Sequence, residues 1–150
     1  VIRSRIAPTM VFGFLNKRLS RKSRAKMVGQ LVDALNRFDY EAVERLISPD
    51  MKVVDAGGYR LEGAAAVIDA DRTFREQADR PQIIVDTLDH WGKGMLLRGH
   101  LESPMAEIDG PLMWRIEFTG NRIGLIETTR PLDRMTAPMF ASRRSAQAAR

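Results

Sequence analysis

The feature of this sequence that most constrains its fold is a run of four strand-like segments with no helical segment between them. Alternating apolar and polar residues predict strands over residues 82–89, 95–102, 111–118 and 122–129. The breaks between them are Gly92-Lys93-Gly94, a loop over 103–110, and Gly120-Asn121, which is typical of a tight hairpin. Strands that follow one another through short turns pair antiparallel, so these segments predict an antiparallel sheet.

Helical patterns precede this sheet. An apolar stripe that begins at Met27 predicts a first helix over about 23–37, and Asp39 is placed to cap a short second helix over about 40–47. A short strand over 51–54 and a third helix over about 64–77 follow, before the four strands begin. Helices first and neighbouring strands afterwards favour an α+β fold, with three N-terminal helices against the sheet.

Composition limits the chemistry that is open to this chain. The 150 residues are the size of one domain, and they include no cysteine, which excludes disulfides, thiolate metal sites and a cysteine nucleophile. The two histidines, His90 and His100, lack the spacing of metal ligands, so we expect no metal and no cofactor. Absent cysteine and the lack of a long apolar run favour a cytoplasmic protein.

The positive charge of the chain lies at its two ends. The net charge is +5, yet the first 26 residues contain eight basic and no acidic residues. We therefore divide the chain into a basic arm (1–22), a central domain (23–130) and a C-terminal tail (131–150), frayed after residue 143. Such arms can contact a membrane or nucleic acid, although solubilising tails explain them more simply and we do not expect nucleic acid as a partner.

Four sequence segments in this order resemble the nuclear-transport-factor-2-like superfamily, especially its SnoaL-like polyketide cyclase and ketosteroid isomerase branches. The segments are LVDALNRFDYEAVERLISPDMKVVD, LEGAAAVIDADRTF, WGKGMLLRGHLES and MWRIEFTGNRIGLIETTR. The resemblance implies a cystatin-like cone, in which a curved sheet wraps round one helix and leaves an apolar pocket. It also implies a homodimer formed through the outer face of the sheet.

The resemblance also points to Asp55 as a general base. In ketosteroid isomerases the catalytic aspartate follows the Asp of a Pro-Asp-like pair by five residues, and Asp50 and Asp55 reproduce that spacing. An alternative is that Asp55 caps the glycine turn that follows it. The oxyanion donors of that family are missing, because Leu31 and Trp114 stand at the corresponding positions.

Five further residues are candidates for the pocket. His100 could form an acid–base pair with Asp55 if a bulge turns it inward, although its strand parity favours the polar face. Trp114 and Phe118 alternate on one face and are predicted to line the pocket, or to fill the core. Glu127 shares parity with apolar residues, which predicts either substrate contact or an ion pair with Arg98 or Arg115. Tyr59 could donate a hydrogen bond at the rim.

These observations favour a domain that binds an apolar small molecule. It would act, if it is an enzyme, as a cofactor-free isomerase, dehydratase or cyclase that transfers a proton on an apolar carbonyl compound. The alternative is a non-catalytic binding or interaction domain that uses the same pocket or the face of the sheet.

Overall fold

The structure is a computed structural model, and it describes residues 19–149. The predictions for the basic arm therefore lie almost entirely outside the described residues. Within these residues four helices are formed: α1 (Arg21–Asn36), α2 (Tyr40–Leu46), α3 (Ala64–Gln77) and α4 (Ala137–Ala148). The same part of the chain contains six strands, which form one sheet: β1 (Ile47–Asp55), β2 (Arg60–Glu62), β3 (Gln82–Trp91), β4 (Gly94–Glu102), β5 (Gly110–Thr119) and β6 (Arg122–Thr129).

Side-chain caps place the first two helices. The Ser20 hydroxyl accepts a hydrogen bond from the Ser23 amide at 3.1 Å, so α1 begins two residues earlier than the apolar stripe predicts. Asp39 caps α2 as predicted, by accepting from the Ala42 amide at 3.1 Å. This helix is short because Ile47 already pairs with Ile123 of β6.

The sheet is mixed, whereas the sequence predicts an antiparallel one. The strand order is β2-β1-β6-β5-β4-β3, and β1 pairs with β6 in parallel. The other pairs are antiparallel. Alternation within a strand predicts its two faces but not its neighbours, so the sequence could not place β1 beside the last strand.

Bulges bend this sheet round α1. On β3, Val85 pairs with Gly99 and Thr87 pairs with Arg98, which leaves Asp86 as an extra residue. A side chain at Gly99 would not fit, since a Cβ there would lie 2.0 Å from the Ile84 carbonyl oxygen. The strands therefore approach most closely where the sheet bends.

The segment after β6 is a helix, although no periodic element was predicted there. Thr136 caps α4 by accepting from the Met139 amide at 3.2 Å, and Phe140 packs edge-on against Phe74 at 5.5 Å. Pro138, at the start of this helix, is fully buried. Residues 135–140 thus cover the wide end of the cone, while the division of the chain at 22 and 130 stays a prediction.

Within residues 19–149, none of the helices combines the length and the apolar character needed to cross a membrane.

Candidate functional site

A cavity of about 90 Å³ lies between the inner face of the sheet, the first three helices and the segment that follows β6. Its walls are mostly aliphatic. Leu31 and Leu35 come from α1, Met51 from β1 and Ile126 from β6. The curvature of the sheet creates this space, because α1 covers the concave face without filling its wide end.

One polar cluster in the wall joins α2 to α3. The Tyr40 hydroxyl donates to Asp71 Oδ2 at 2.8 Å, and Arg75 Nε donates to the same oxygen at 2.8 Å. Arg75 is buried and also donates to the carbonyl of Pro81 at 2.9 Å. Burial raises the pKa of Tyr40, and the negative charge of Asp71 raises it further. Tyr40 is thus held as a neutral hydrogen-bond donor.

A second polar cluster lies where β6 meets the C-terminal segment. It consists of Thr128, Arg130 and Thr136, all three of which are buried and line the cavity. Arg130 donates hydrogen bonds to backbone carbonyls, including that of Met135 at 2.8 Å. Burial lowers the pKa of Arg130 to about 10, with a smaller contribution from the charge of Arg134.

Asp55 is buried at the end of β1, but it lies behind the cavity wall and not in it. Its Oδ1 accepts from the amides of Gly57 at 2.9 Å and Tyr59 at 3.0 Å, which is the turn-capping geometry that the sequence left open. Its Oδ2 accepts from the Thr136 hydroxyl at 2.6 Å. Thr136 lines the cavity, so this hydrogen bond connects the carboxylate to the cavity wall.

His100 and Asp55 are not brought together. His100 is partly exposed, and its ring nitrogens lie 3.5 Å from Asp86 Oδ2 and 3.7 Å from Glu102 Oε1. Three strand spacings separate β4 from β1, which is roughly 14 Å. The bulge at Asp86 leaves His100 on the polar face that its parity predicts.

Trp114 lines the cavity, whereas Phe118 does not. Both lie on β5, but Ile116 between them is completely buried, so the core is closed before the strand reaches Phe118. Phe118 packs against the periphery of the core instead. Leu31 also lines the cavity, so both positions that lack the oxyanion donors of the ketosteroid isomerases form apolar wall.

Glu127 lies outside the cavity wall, and its carboxylate binds Arg115 through two hydrogen bonds, one of them 2.8 Å from Nε. This is the ion pair with Arg115 that the sequence analysis offered as an alternative to substrate contact. The expectation that Glu127 lies on the apolar face was wrong because β6 has a bulge at Gly124. Leu125 pairs with Glu117 while Ile123 pairs with Phe118, so the alternation of faces breaks between them. The hydrogen bonds that Arg115 donates to Glu127 raise the pKa of Arg115.

Tyr59 also lies outside the cavity wall, and it is 40% exposed. Its backbone amide donates to Asp55 Oδ1 in the turn, and its ring lies over Gly57. The side chain therefore belongs to the surface of the turn.

Sequence reasoning missed four of the polar residues that the structure brings to the cavity: Tyr40, Asp71, Arg130 and Thr136. One signal was present, since Asp71 and Arg75 are four residues apart on a predicted helix and such pairs share a face. No comparable signal marked Arg130 and Thr136, because they lie after the last predicted strand. Among residues 19–149, no group of three or more histidines and carboxylates is placed to hold a metal ion.

Several solved structures have this arrangement of helices and strands. A Sinorhizobium meliloti protein proposed to be a polyketide cyclase matches with a TM-score of 0.63 and 20% identity, over 69% of this chain and 93% of its own. A cystatin-fold protein from Novosphingobium aromaticivorans gives a TM-score of 0.63 and 16% identity, over 70% and 96% of the two chains. A Kribbella flavida protein proposed to be a ketosteroid isomerase gives 0.66 and 18%, over 75% and 79%.

These similarities show a cystatin-like, NTF2-like fold, as the sequence predicts. No protein-family model matches the sequence, and no curated protein matches it. A fold of this kind supports many activities, so the function has to be argued from the cavity.

Proposed function

We propose that this chain is a small-molecule-binding domain whose ligand occupies the cavity between the sheet and the helices. The observation that carries the proposal is a partly enclosed space with aliphatic walls and two separate polar clusters. Ligand sites commonly combine apolar walls, which supply affinity, with a few fixed polar groups, which orient the ligand. The Tyr40 cluster and the Arg130 cluster are such groups.

The volume restricts the size of the ligand. About 90 Å³ is below the 300–1,000 Å³ that is typical of drug-sized ligands. An apolar cavity of about 150 Å³ is known to hold benzene. The present cavity therefore suits a molecule of about four carbons, such as a short ketone.

Titration with 2-butanone, followed by methyl NMR, tests this proposal. We expect shifts at methyl groups of the wall, and Val67→Phe should abolish them because Val67 lines the cavity and is 8% exposed. Val85→Phe is the matched control, since Val85 is 40% exposed on β3. The proposal fails if the wall methyls do not respond in the wild type, or if both variants bind as the wild type does.

A catalytic role would add proton transfer to this binding, as in a cofactor-free isomerase, dehydratase or cyclase. The observation that favours it is the 2.6 Å contact between Asp55 and Thr136, because Thr136 also lines the cavity. Asp55 Oδ2 would accept a ligand proton once Thr136 releases its hydrogen bond. Deuterium exchange at the α-carbons of 2-butanone should then exceed the buffer rate and fall to it in Asp55→Asn. Exchange that is equal in buffer, wild type and variant would exclude this role.

A role in protein interaction would use the outer face of the sheet. Trp91 is 54% exposed there, and the Arg115 guanidinium lies 5.3 Å from the centre of its ring. An exposed tryptophan beside apolar neighbours such as Leu96 and Met113 suits contact with a second copy of the chain. Sedimentation should reveal a dimer that Trp91→Ala weakens, and a wild type that stays monomeric at high concentration would contradict this.

A further inference from the structure

Arg130 is a buried cation in the cavity wall, and it forms no ion pair with any carboxylate among residues 19–149. Its four hydrogen bonds go to backbone carbonyls. The acceptors are Pro111 at 3.1 Å, Met135 at 2.8 Å, Gly110 at 3.3 Å and Ile108. These bonds hold residues 108–111, at the start of β5, and the start of the C-terminal segment against the end of β6.

The carbonyls do not occupy all the N–H donors of the Arg130 guanidinium. Arginine has five N–H donors, and four are accounted for, which leaves one hydrogen on Nη1. Carbonyl dipoles also leave its full positive charge without a negative partner. The charge itself persists at neutral pH, because the pKa of Arg130 falls only to about 10.

The other charges of the wall cancel. Asp71 and Arg75 both line the cavity and form an ion pair at 2.8 Å. Asp55 and Asp109 lie outside the lining of the cavity, and neither forms an ion pair with Arg130, although the charge of Asp109 acts on it from a distance. Among the described residues that line the cavity, Arg130 is therefore the one charged side chain without an ion-pair partner.

We infer that the natural ligand of this cavity is a small carboxylic acid of up to about four carbons, bound with its carboxylate at Arg130 and its alkyl part against the aliphatic wall. This inference rests on the proposed function and adds the class of the ligand. A carboxylate complements the charge of the guanidinium, and one of its oxygens can accept the remaining hydrogen on Nη1. A phosphate suits the site less well, since its additional oxygens would need donors that aliphatic walls do not offer.

Isobutyrate and isobutyramide make a matched pair of probes, because they have the same shape and differ in charge. Both are titrated at neutral pH into the wild type, Arg130→Gln and Arg130→Lys, and binding is read from the methyl NMR shifts of the cavity wall. We expect the wild type to bind isobutyrate at least tenfold more tightly than the amide. Arg130→Gln should lose this preference, whereas Arg130→Lys should keep part of it because its charge remains.

Thermal unfolding of each variant shows whether it folds. This control is needed because the hydrogen bonds of Arg130 to backbone carbonyls also stabilise the fold. If neither variant folds, the comparison of the two probes on the wild type still decides the inference. Equal or tighter binding of the amide overturns the inference and leaves the proposed function standing. If 2-butanone binds and isobutyrate does not, the inference is likewise overturned and the proposed function stands. If none of the three probes affects the wall, the proposed function itself fails.

Discussion

Replacing Thr136 by valine tests how firmly the C-terminal segment closes the cone. The Thr136 hydroxyl makes two contacts at once. It donates to Asp55 Oδ2 at 2.6 Å, and it accepts from the Met139 amide at 3.2 Å as the N-cap of α4. Valine has nearly the same shape but removes both hydrogen bonds.

The expected cost follows from these two contacts. A hydrogen bond to a charged group contributes about 1.5–3 kcal/mol, and loss of an N-cap side chain costs about 1 kcal/mol. Asp55 is only 7% exposed, so water does not readily replace the lost donor. We expect Thr136→Val to lower the free energy of unfolding by about 3 kcal/mol. Thr136→Ser keeps the hydroxyl and loses one methyl group, which costs about 1 kcal/mol.

Urea unfolding of the wild type and both variants measures these differences. The same Thr136→Val change, made in an Asp55→Asn background, should cost clearly less, because the charge on the acceptor is then absent. A valine variant no less stable than the serine variant would refute the reasoning. It would mean that the contact between Asp55 and Thr136 contributes nothing to holding the C-terminal segment.

Two further predictions concern the bend of the sheet and the first polar cluster. Gly99→Ala should destabilise the fold strongly, because its Cβ would lie 2.0 Å from the Ile84 carbonyl oxygen. Gly29→Ala in α1 should stabilise the fold by about 1 kcal/mol, because its Cβ would meet nothing within 4 Å. Thermal unfolding of both variants checks this contrast. Burial and Asp71 raise the pKa of Tyr40 above its ordinary value of 10.0, so the stability that Tyr40 contributes is present below about pH 10 and is lost as the pH rises further. Unfolding free energies measured across pH 10 should fall more steeply for the wild type than for Tyr40→Phe, and parallel curves would contradict the assignment.

The helices and the four consecutive strands could be predicted from the sequence because each has a local signature. Helix α3 has the predicted bounds, Ala64–Gln77, since Gly63 and Pro81 bracket it. Strand β1 was predicted too short, at 51–54, because Ser48-Pro49 resembles a break and not a strand. Its first residue, Ile47, is held by pairing with Ile123, which is distant in the sequence.

The candidate site was harder to predict, because its geometry depends on single-residue irregularities. The bulge at Gly124 reverses the parity from which Glu127 was expected on the apolar face. The buried face of α4 is short, so no stripe revealed the helix that carries Thr136 to Asp55. Arg130 follows the last strand, where alternation no longer indicates which residues point inward.

Asp55 illustrates what a motif can and cannot predict. The strand pattern and the two glycines that follow placed it correctly at a strand end beside a turn, and its spacing from Asp50 suggested a general base. The motif could not reveal that its three donors come from Gly57, Tyr59 and Thr136. Those contacts depend on a turn and on a helix that the motif does not contain.

Intermolecular nuclear Overhauser effects between bound 2-butanone and the protein test most directly whether the cavity is the ligand site. We predict that the ligand methyl groups give effects to Leu31, Met51 and Ile126, which come from three different elements and meet only at the cavity. Effects confined to Leu96 and Met113 on the outer face of the sheet would contradict the account, even if the ligand binds.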